Sequence, residues 1–316
     1  MLNYLSELKG KRILITGGSG FFGKALCEFL LGIKNKNQID FEIIALARSP
    51  QLIDGVRFIS HDVTQTLVLD ETIHYIIHAA NPATENLDPQ DMLSIIINGT
   101  QSMLRFAEKN GCEKFLLVSS GAVYGEQPES FEHISEEDDF GYPLYDAKSA
   151  YATGKRLSEI MALEWSHHCN FDVSIARCFA FSGKHLPIDR HFAIGNFIKD
   201  VVDKNKIELK SDGSAIRSYM DEEDLAHWLM TILIQSKTRE IYNVGSDQSL
   251  SILELANKVA KVASCSNVTS MKSQAASRRN KYVPSIEKAK KEFQLSLSVS
   301  LEQSIQKMLS HAKGLK

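Results

Sequence analysis

Short apolar runs alternate with longer amphipathic ones through the first half of the chain. Residues 11–16, 41–47, 56–59, 72–78, 114–119 and 171–177 are brief runs rich in Ile, Leu, Val and Phe, of the length of buried strands. Between them, residues from about 20–32, 90–109 and 147–167 carry apolar side chains at helical spacing. In the second of these the spacing is set by Met92, Leu93, Ile96, Ile97, Met103, Leu104 and Phe106. Lys34-Asn35-Lys36-Asn37-Gln38 is polar throughout and reads as a loop. Alternating units of this kind predict an α/β fold built on a doubly wound parallel sheet. Past about residue 180 the pattern becomes irregular. Helices are predicted near 192–204, 222–235, 251–264, 285–292 and 300–311, and short strands near 207–209 and 241–244. The expected division is a sheet domain over residues 1–180 and a smaller α/β C-terminal lobe over 181–316. Some of the later strands and helices are expected to return to the first domain. The active site is expected in the cleft between the two.

Composition narrows the class. The chain has 316 residues, 43% hydrophobic and 24% charged, which is ordinary for a soluble globular protein. Its formal net charge of -3 argues against a general nucleic-acid or anionic-membrane surface. No apolar run reaches the length of a membrane span, and no charged-then-apolar leader opens the sequence. The 5 cysteines, Cys27, Cys112, Cys169, Cys178 and Cys265, are scattered without a Cys-x-x-Cys pair. They read as reduced thiols in a cytoplasmic protein with no bound metal.

Two constellations carry chemistry. Thr16-Gly17-Gly18-Ser19-Gly20-Phe21-Phe22-Gly23 follows the first strand and opens the first helix. Glycines there permit a tight turn and a close backbone approach, and the helix start offers N–H groups and a positive dipole end to an anion. That is the physics of a pyrophosphate cradle. The second constellation is Tyr151-Ala152-Thr153-Gly154-Lys155, whose Tyr and Lys share a helix face. A nearby ammonium favours the phenolate and is expected to lower the tyrosine pKa toward the working range. Ser120 closes the fifth strand, and its hydroxyl can hold a substrate oxygen beside the tyrosine. Arg48, Asp62, Ala79 and Ser120 all fall at strand carboxyl ends, where such sheets bind ligands.

These segments, with His78-Ala79-Ala80 and Ser119-Ser120-Gly121-Ala122-Val123-Tyr124-Gly125, resemble the extended branch of the short-chain dehydrogenase/reductases. Members have a Rossmann sheet and act mostly on nucleotide-activated sugars. Gly213-Ser214-Ala215-Ile216-Arg217 with Asp224 is similar to the segment that grips the nucleotide diphosphate in that family. The resemblance implies that Gly17, Gly20 and Gly23, with Ser19, Phe21 and Phe22, hold the cofactor pyrophosphate. It implies that Asp62 and Val63 meet the adenine and that Ala79 and Ala80 line the cofactor cleft. Ser120 and Tyr151 would be catalytic, with Lys155 tuning Tyr151 and binding the nicotinamide ribose. Arg217 would clamp the substrate diphosphate, with Asn196 near the phosphates and Thr84 near the sugar. A homodimer through a four-helix bundle, built from residues about 90–109 and 147–167 of each copy, is also implied.

The sequence also departs from the family pattern. The asparagine expected on the helix after strand four falls on Ile96, and another expected after strand six is Ala180. Asp221-Glu222-Glu223-Asp224 is more acidic than the usual form and reads as a solvated helix start. After Ser120, family dehydratases carry Asp-Glu and decarboxylases carry Glu. Here Gly121 and Ala122 stand there, and neither can move a proton. What remains is hydride transfer that needs only the Ser/Tyr/Lys set. The end of strand two lacks the acid that binds a free 2′-hydroxyl, and Arg48 could pair with a 2′-phosphate, which points to NADP over NAD. The leading expectation is a C4 ketoreductase acting on a nucleotide-diphospho-hexose. The alternative is a 4-epimerase with tightly bound NAD. A non-catalytic cofactor sensor or RNA-associated scaffold is a third class, opposed by the intact Ser120, Tyr151 and Lys155 and by the acidic balance.

Overall fold

The computed structural model describes residues 4–82, 87–143, 145–146, 148–190, 192–265, 267–270 and 280–314. Thr84 lies outside the described residues. In chain order the first elements are α1 (Leu5–Leu8), β1 (Arg12–Thr16), α2 (Phe21–Asn37), β2 (Glu42–Ala47), β3 (Arg57–Ser60), β4 (Tyr75–His78), α3 (Pro89–Lys109), β5 (Lys114–Ser120), α4 (Ser149–Trp165) and β6 (Asp172–Cys178). They are followed by β7 (Phe181–Ser182), α5 (Ala193–Lys204), β8 (Ile207–Glu208), β9 (Ile216–Arg217), β10 (Met220–Asp221), α6 (Glu222–Gln235) and β11 (Glu240–Val244). The last are β12 (Leu250–Ser251), α7 (Ile252–Ala263), β13 (Val268–Thr269), β14 (Lys281–Tyr282), α8 (Glu287–Phe293) and α9 (Leu301–Gly314).

Two compact units emerge, and neither is a single stretch of chain. The first holds Met1–Gly125, Gly141–Cys178 and Ala226–Asn243; the second holds Glu126–Phe140, Phe179–Leu225 and Val244–Lys316. In the first, seven strands form one sheet in the order β11-β6-β5-β4-β1-β2-β3. The six from β6 to β3 pair in parallel. Strand order reverses direction between β1 and β4, which sets Thr16 opposite His78. In doubly wound sheets the ligand crevice opens at such a switch point, beyond the carboxyl ends. The central strands read as continuous apolar runs because helices cover both sheet faces. Leu14, Ile44, Ile76, Leu104, Phe115, Leu117 and Ile175 are among the residues of one buried cluster there. α3 and α4 pack together, and the Ser158 hydroxyl on α4 donates to the Ile96 carbonyl on α3 at 3.2 Å.

Residues 34–38, expected as a loop, instead complete α2 as far as Asn37. Asn37 Nδ2 donates to the Ile33 carbonyl at 3.0 Å, and Lys34 and Lys36 lie favourably at the negative end of the helix dipole. Gln38 then ends the helix in the left-handed region at φ 52. Strand four is shorter than expected and begins at Tyr75.

The second unit holds a β12-β9-β14 sheet and the two-stranded pairs β10-β7 and β13-β8. α5, α7 and α9 pack on one another. Ser251 and Glu254 start α7 with a reciprocal capping box. Of the strands of two residues, β8 falls where a short strand was expected, near 207–209, and the others were not anticipated because a run that short has no period to read.

The β1–α2 joint depends on two glycines. Gly17 has φ +71, and a Cβ there would stand 3.0 Å from both Ala79 O and Ala80 Cα. A Cβ at Gly23 would meet Gly17 O at 2.4 Å and Gly18 Cα at 2.5 Å. At Gly20 the nearest atom would be Gly17 O, at 3.2 Å. Gly23→Ala should therefore lower the thermal unfolding midpoint more than Gly20→Ala, since overpacking against backbone costs about 1–3 kcal/mol. Scanning fluorimetry of the two variants decides this, and equal midpoints would contradict the packing account.

Candidate active site

The glycine turn presents backbone outward at the end of β1. The Gly18 N–H donates to Leu46 O at 2.9 Å and the Gly20 N–H to Gly17 O at 2.9 Å, which fixes the loop on β2. Ser19 lies half-buried between them. Gly20 is the N-cap of α2 and offers no side chain to the first-turn amides, and no acid stands in that turn. Phe21 and Phe22 follow, with their rings edge to face at 5.6 Å. The cradle that side chains would fill, at a dipole end without competing carboxylates, fits a dinucleotide pyrophosphate.

The neighbouring wall is pinned by a buried relay. The Thr16 hydroxyl stands 2.9 Å from His78 Nδ1, and the same oxygen accepts the Ala80 N–H at 2.9 Å. Burial, reinforced by the Lys155 charge, pushes the His78 pKa down to about 3. The imidazole is thus neutral and shares a hydrogen bond with the Thr16 hydroxyl at Nδ1. That arrangement holds Ala79 and Ala80 at the crevice rim, both half-buried.

Pairing of β2 with β3 brings Arg48 and Asp62 to the same edge. Arg48 is exposed just past β2, and its carbonyl accepts the Ser60 hydroxyl at 3.3 Å. Asp62 accepts the Thr64 N–H at 2.9 Å and the Thr64 hydroxyl at 2.8 Å. The Thr64 amide holds the Asp62 carboxyl below the usual range, with the Thr64 hydroxyl and the Arg48 charge adding to it. Val63 is buried, and the bare Cα of Gly99 on α3 makes room for it.

Tyr151 lies in the first turn of α4 and Ser120 at the end of β5. The Asn81 amide Nδ2 donates to the Tyr151 hydroxyl at 3.2 Å. Burial pushes the Tyr151 pKa up, and hydrogen bonds with Asn81 and Ser120 offset part of that rise. Lys155, one turn further along α4, is buried and donates to Val118 O at 3.1 Å. Burial pushes its pKa down to about 8, against the opposing influence of Cys178 and Glu159. The expected lowering of the Tyr151 pKa by the ammonium is therefore corrected. Desolvation dominates at the phenol, and the lysine proton is directed at a backbone carbonyl. The structure brings Ser120 and Tyr151 together as expected from the sequence. It adds Asn81, which was missed although it directly follows His78-Ala79-Ala80.

Arg217 and Asn196 belong to the second unit. Arg217 Nη1 donates to Ile216 O at 2.7 Å and to Asn280 O at 3.0 Å. Asn196 is half-buried on α5. The acidic run does start α6, but it is not solvated throughout: Asp221, Glu222 and Asp224 are buried and Glu223 is exposed. Asp224 is taken up by the Ser298 and Val299 amides, and Glu222 accepts the His185 N–H at 3.1 Å. These contacts tie segments of the second unit together. Among the described residues no cluster of His, Cys, Asp and Glu could hold a metal ion, and no helix is long and apolar enough to cross a membrane.

Comparison with known proteins agrees with this geometry. Residues 13–245 match the model of the NAD dependent epimerase/dehydratase family. The chain is 29% identical over 310 residues to UDP-glucuronic acid decarboxylase 1 of Arabidopsis thaliana, covering 96% of this chain and 70% of that protein. Its fold is similar to that of UDP-glucose 4-epimerase with UDP-glucose from Thermotoga maritima, at TM-score 0.82 and 19% identity, over 96% of this chain and 100% of that one. It is also similar to RMD from Pseudomonas aeruginosa complexed with NADPH, at TM-score 0.79 and 24% identity, over 97% and 100% of the two chains. With a family match that spans most of its length and both glycine and Tyr/Lys constellations set at the sheet's carboxyl ends, this chain belongs to the NAD dependent epimerase/dehydratase family, in the extended short-chain dehydrogenase/reductase class.

Proposed function

We propose that the chain is an NAD(P)-dependent nucleotide-sugar oxidoreductase that reduces a ketone at C4 of a nucleotide-diphospho-hexose. The observation that carries this reading is the state of Tyr151. Its phenol is held by the Asn81 amide at 3.2 Å at the strand ends, in hydrogen-bonding reach of Ser120, where it can donate a proton. A donor is what a carbonyl oxygen needs while its carbon is being reduced. Ser120 would orient that oxygen. Gly121 and Ala122 beside it carry no ionisable group, which disfavours the decarboxylation named for the relatives and favours simple hydride transfer.

Gly17, Ser19, Gly20, Phe21, Phe22 and Gly23 would hold the cofactor pyrophosphate, Asp62 and Val63 the adenine, and Ala79 and Ala80 the cleft wall. Lys155 would bind the nicotinamide ribose. The bound nicotinamide would supply or accept the hydride. On the substrate side Arg217 would take the diphosphate, where a guanidinium fork suits phosphate oxygens, with Asn196 beside it. Arg48, exposed at a strand end without an acid, supports NADP. One observation favours the second reading, a 4-epimerase retaining NAD. Asp62 lies within electrostatic reach of Arg48 and offsets the cation that a 2′-phosphate would need. Cofactor content after purification separates the two, because tightly retained NAD belongs to the epimerase. The proposal includes a homodimer through α3 and α4, supported by Leu157 and Ile160, which are 40% and 51% exposed on α4. Sedimentation showing only monomer at micromolar concentration would reject it.

Tyr151→Phe should reduce turnover by about 10²–10⁴-fold, the usual worth of a positioned proton donor, with cofactor affinity nearly unchanged. Steady-state kinetics on a 4-keto nucleotide sugar, with cofactor titration alongside, test this. Turnover like wild type would remove Tyr151 from the chemistry. Arg48→Ala should weaken NADPH binding by about tenfold or more, as a charge-assisted hydrogen bond is worth about 1.5–3 kcal/mol. NADH binding should barely move. Fluorescence titration of both cofactors checks it, and a wild type that prefers NADH would overturn the cofactor assignment.

A further inference from the structure

Lys155 is embedded in a buried polar network that the Ser/Tyr/Lys chemistry does not use. Glu159 lies one helical turn beyond it on α4 and is only 3% exposed. The Arg177 guanidinium on β6 reaches both Glu159 oxygens, with Nη2 at 2.7 Å from Oε2 and Nε at 3.0 Å from Oε1 and 3.2 Å from Oε2. The Ser119 hydroxyl on β5 donates to Oε1 at 2.5 Å. Arg177 also covers the Tyr124 ring, 4.6 Å from its centroid, and the Tyr124 hydroxyl donates to Asn243 Oδ1 at 2.6 Å. Each anchor adjoins a group that meets Lys155. Ser119 follows Val118, whose carbonyl accepts from Nζ, and Arg177 precedes Cys178, whose thiol acts on the ammonium.

We propose that the Glu159–Arg177 pair is a positioning device for Lys155, setting α4 on β5 and β6 and keeping the lysine an ammonium inside the fold. A buried ion pair is weak evidence for stability, because desolvation of both charges opposes their attraction. Its place beside a buried lysine gives it a different use. Tyr151 and Glu159 stand one helical turn to either side of Lys155 on α4, His78 on β4 and Cys178 on β6 lie within electrostatic reach of it, and the Val118 carbonyl on β5 accepts from it, while Arg177 and Ser119 meet Glu159. Of these, His78 is neutral, and burial holds the Tyr151 and Cys178 protons on. Glu159 supplies the negative charge, and Arg177 balances it. The inference rests on the proposed function only in treating Lys155 as part of the active set.

The test reads the charge of Lys155 directly and requires no substrate. Protein labelled with ε-¹³C lysine is titrated by NMR, with the Lys155 signal assigned through Lys155→Arg. The wild-type midpoint is expected near about 8. Glu159→Gln removes the carboxylate one helical turn from Lys155 and leaves the Arg177 cation uncompensated, so the ammonium is lost at lower pH, with the midpoint down by about one unit or more. Arg177→Met leaves the Glu159 carboxylate unbalanced, and the midpoint should rise. The double variant restores the charge balance and should return toward wild type, a rescue that a merely structural role would not give. If Glu159→Gln fails to fold, the upward shift in Arg177→Met carries the test alone. An unchanged midpoint in a folded single variant, or a double variant as displaced as Glu159→Gln, would overturn the proposal. Should the midpoints move as stated while the wild type turns over no nucleotide sugar, the functional reading fails and the positioning role stands.

Discussion

The contact on which the site depends is the approach of backbone to backbone where β1 and β4 end. Gly17 allows the chain leaving β1 to pass against Ala79 and Ala80, and no side chain could stand between them. The Thr16 hydroxyl, hydrogen-bonded to Nδ1 of a neutral, fully buried His78 and itself accepting the Ala80 amide, locks the two strand ends in register. From this junction the chain turns one way into the glycine cradle and the other way to Asn81, which holds the Tyr151 hydroxyl. One packing constraint thus positions both the glycine turn and the Tyr151 hydroxyl.

Around that junction the electrostatics oppose free ionisation. Tyr151, Cys178 and Lys155 are all shifted by burial toward their neutral forms. Burial brings the Lys155 pKa down to about 8, with Cys178 and Glu159 opposing the fall, and its ammonium donates to Val118 O. At Tyr151, hydrogen bonds with Asn81 and Ser120 offset only part of the rise that burial causes.

Much of this was legible in the sequence. The strands of the parallel sheet are apolar on both faces, so their runs stand out, and Gly17, Gly23, Tyr151 and Lys155 sit at spacings that only one local geometry explains. Ser120 could be placed from its position at the end of an apolar run. Other features were hidden for identifiable reasons. Asn37 belongs to a helix despite a polar surround, because its side chain bonds back to Ile33. Glu222 and Asp224 are acidic yet buried, since segments distant in sequence bring amide donors to them. Glu159 shares a helix face with Lys155, but its partners Arg177 and Ser119 come from other strands. Pairing between strands cannot be read from the spacing along one helix.

The central claim is that hydride delivered to C4 is matched by a proton from Tyr151. Its most direct test is the fate of label. The protein is incubated with a 4-keto nucleotide-diphospho-hexose and NADPH carrying deuterium at the transferable C4 position of the nicotinamide, and the sugar is read by NMR. The account predicts one deuterium at C4 of the sugar for each NADPH oxidised. Unlabelled sugar inverted at C4, with the added NADPH unconsumed, would contradict it.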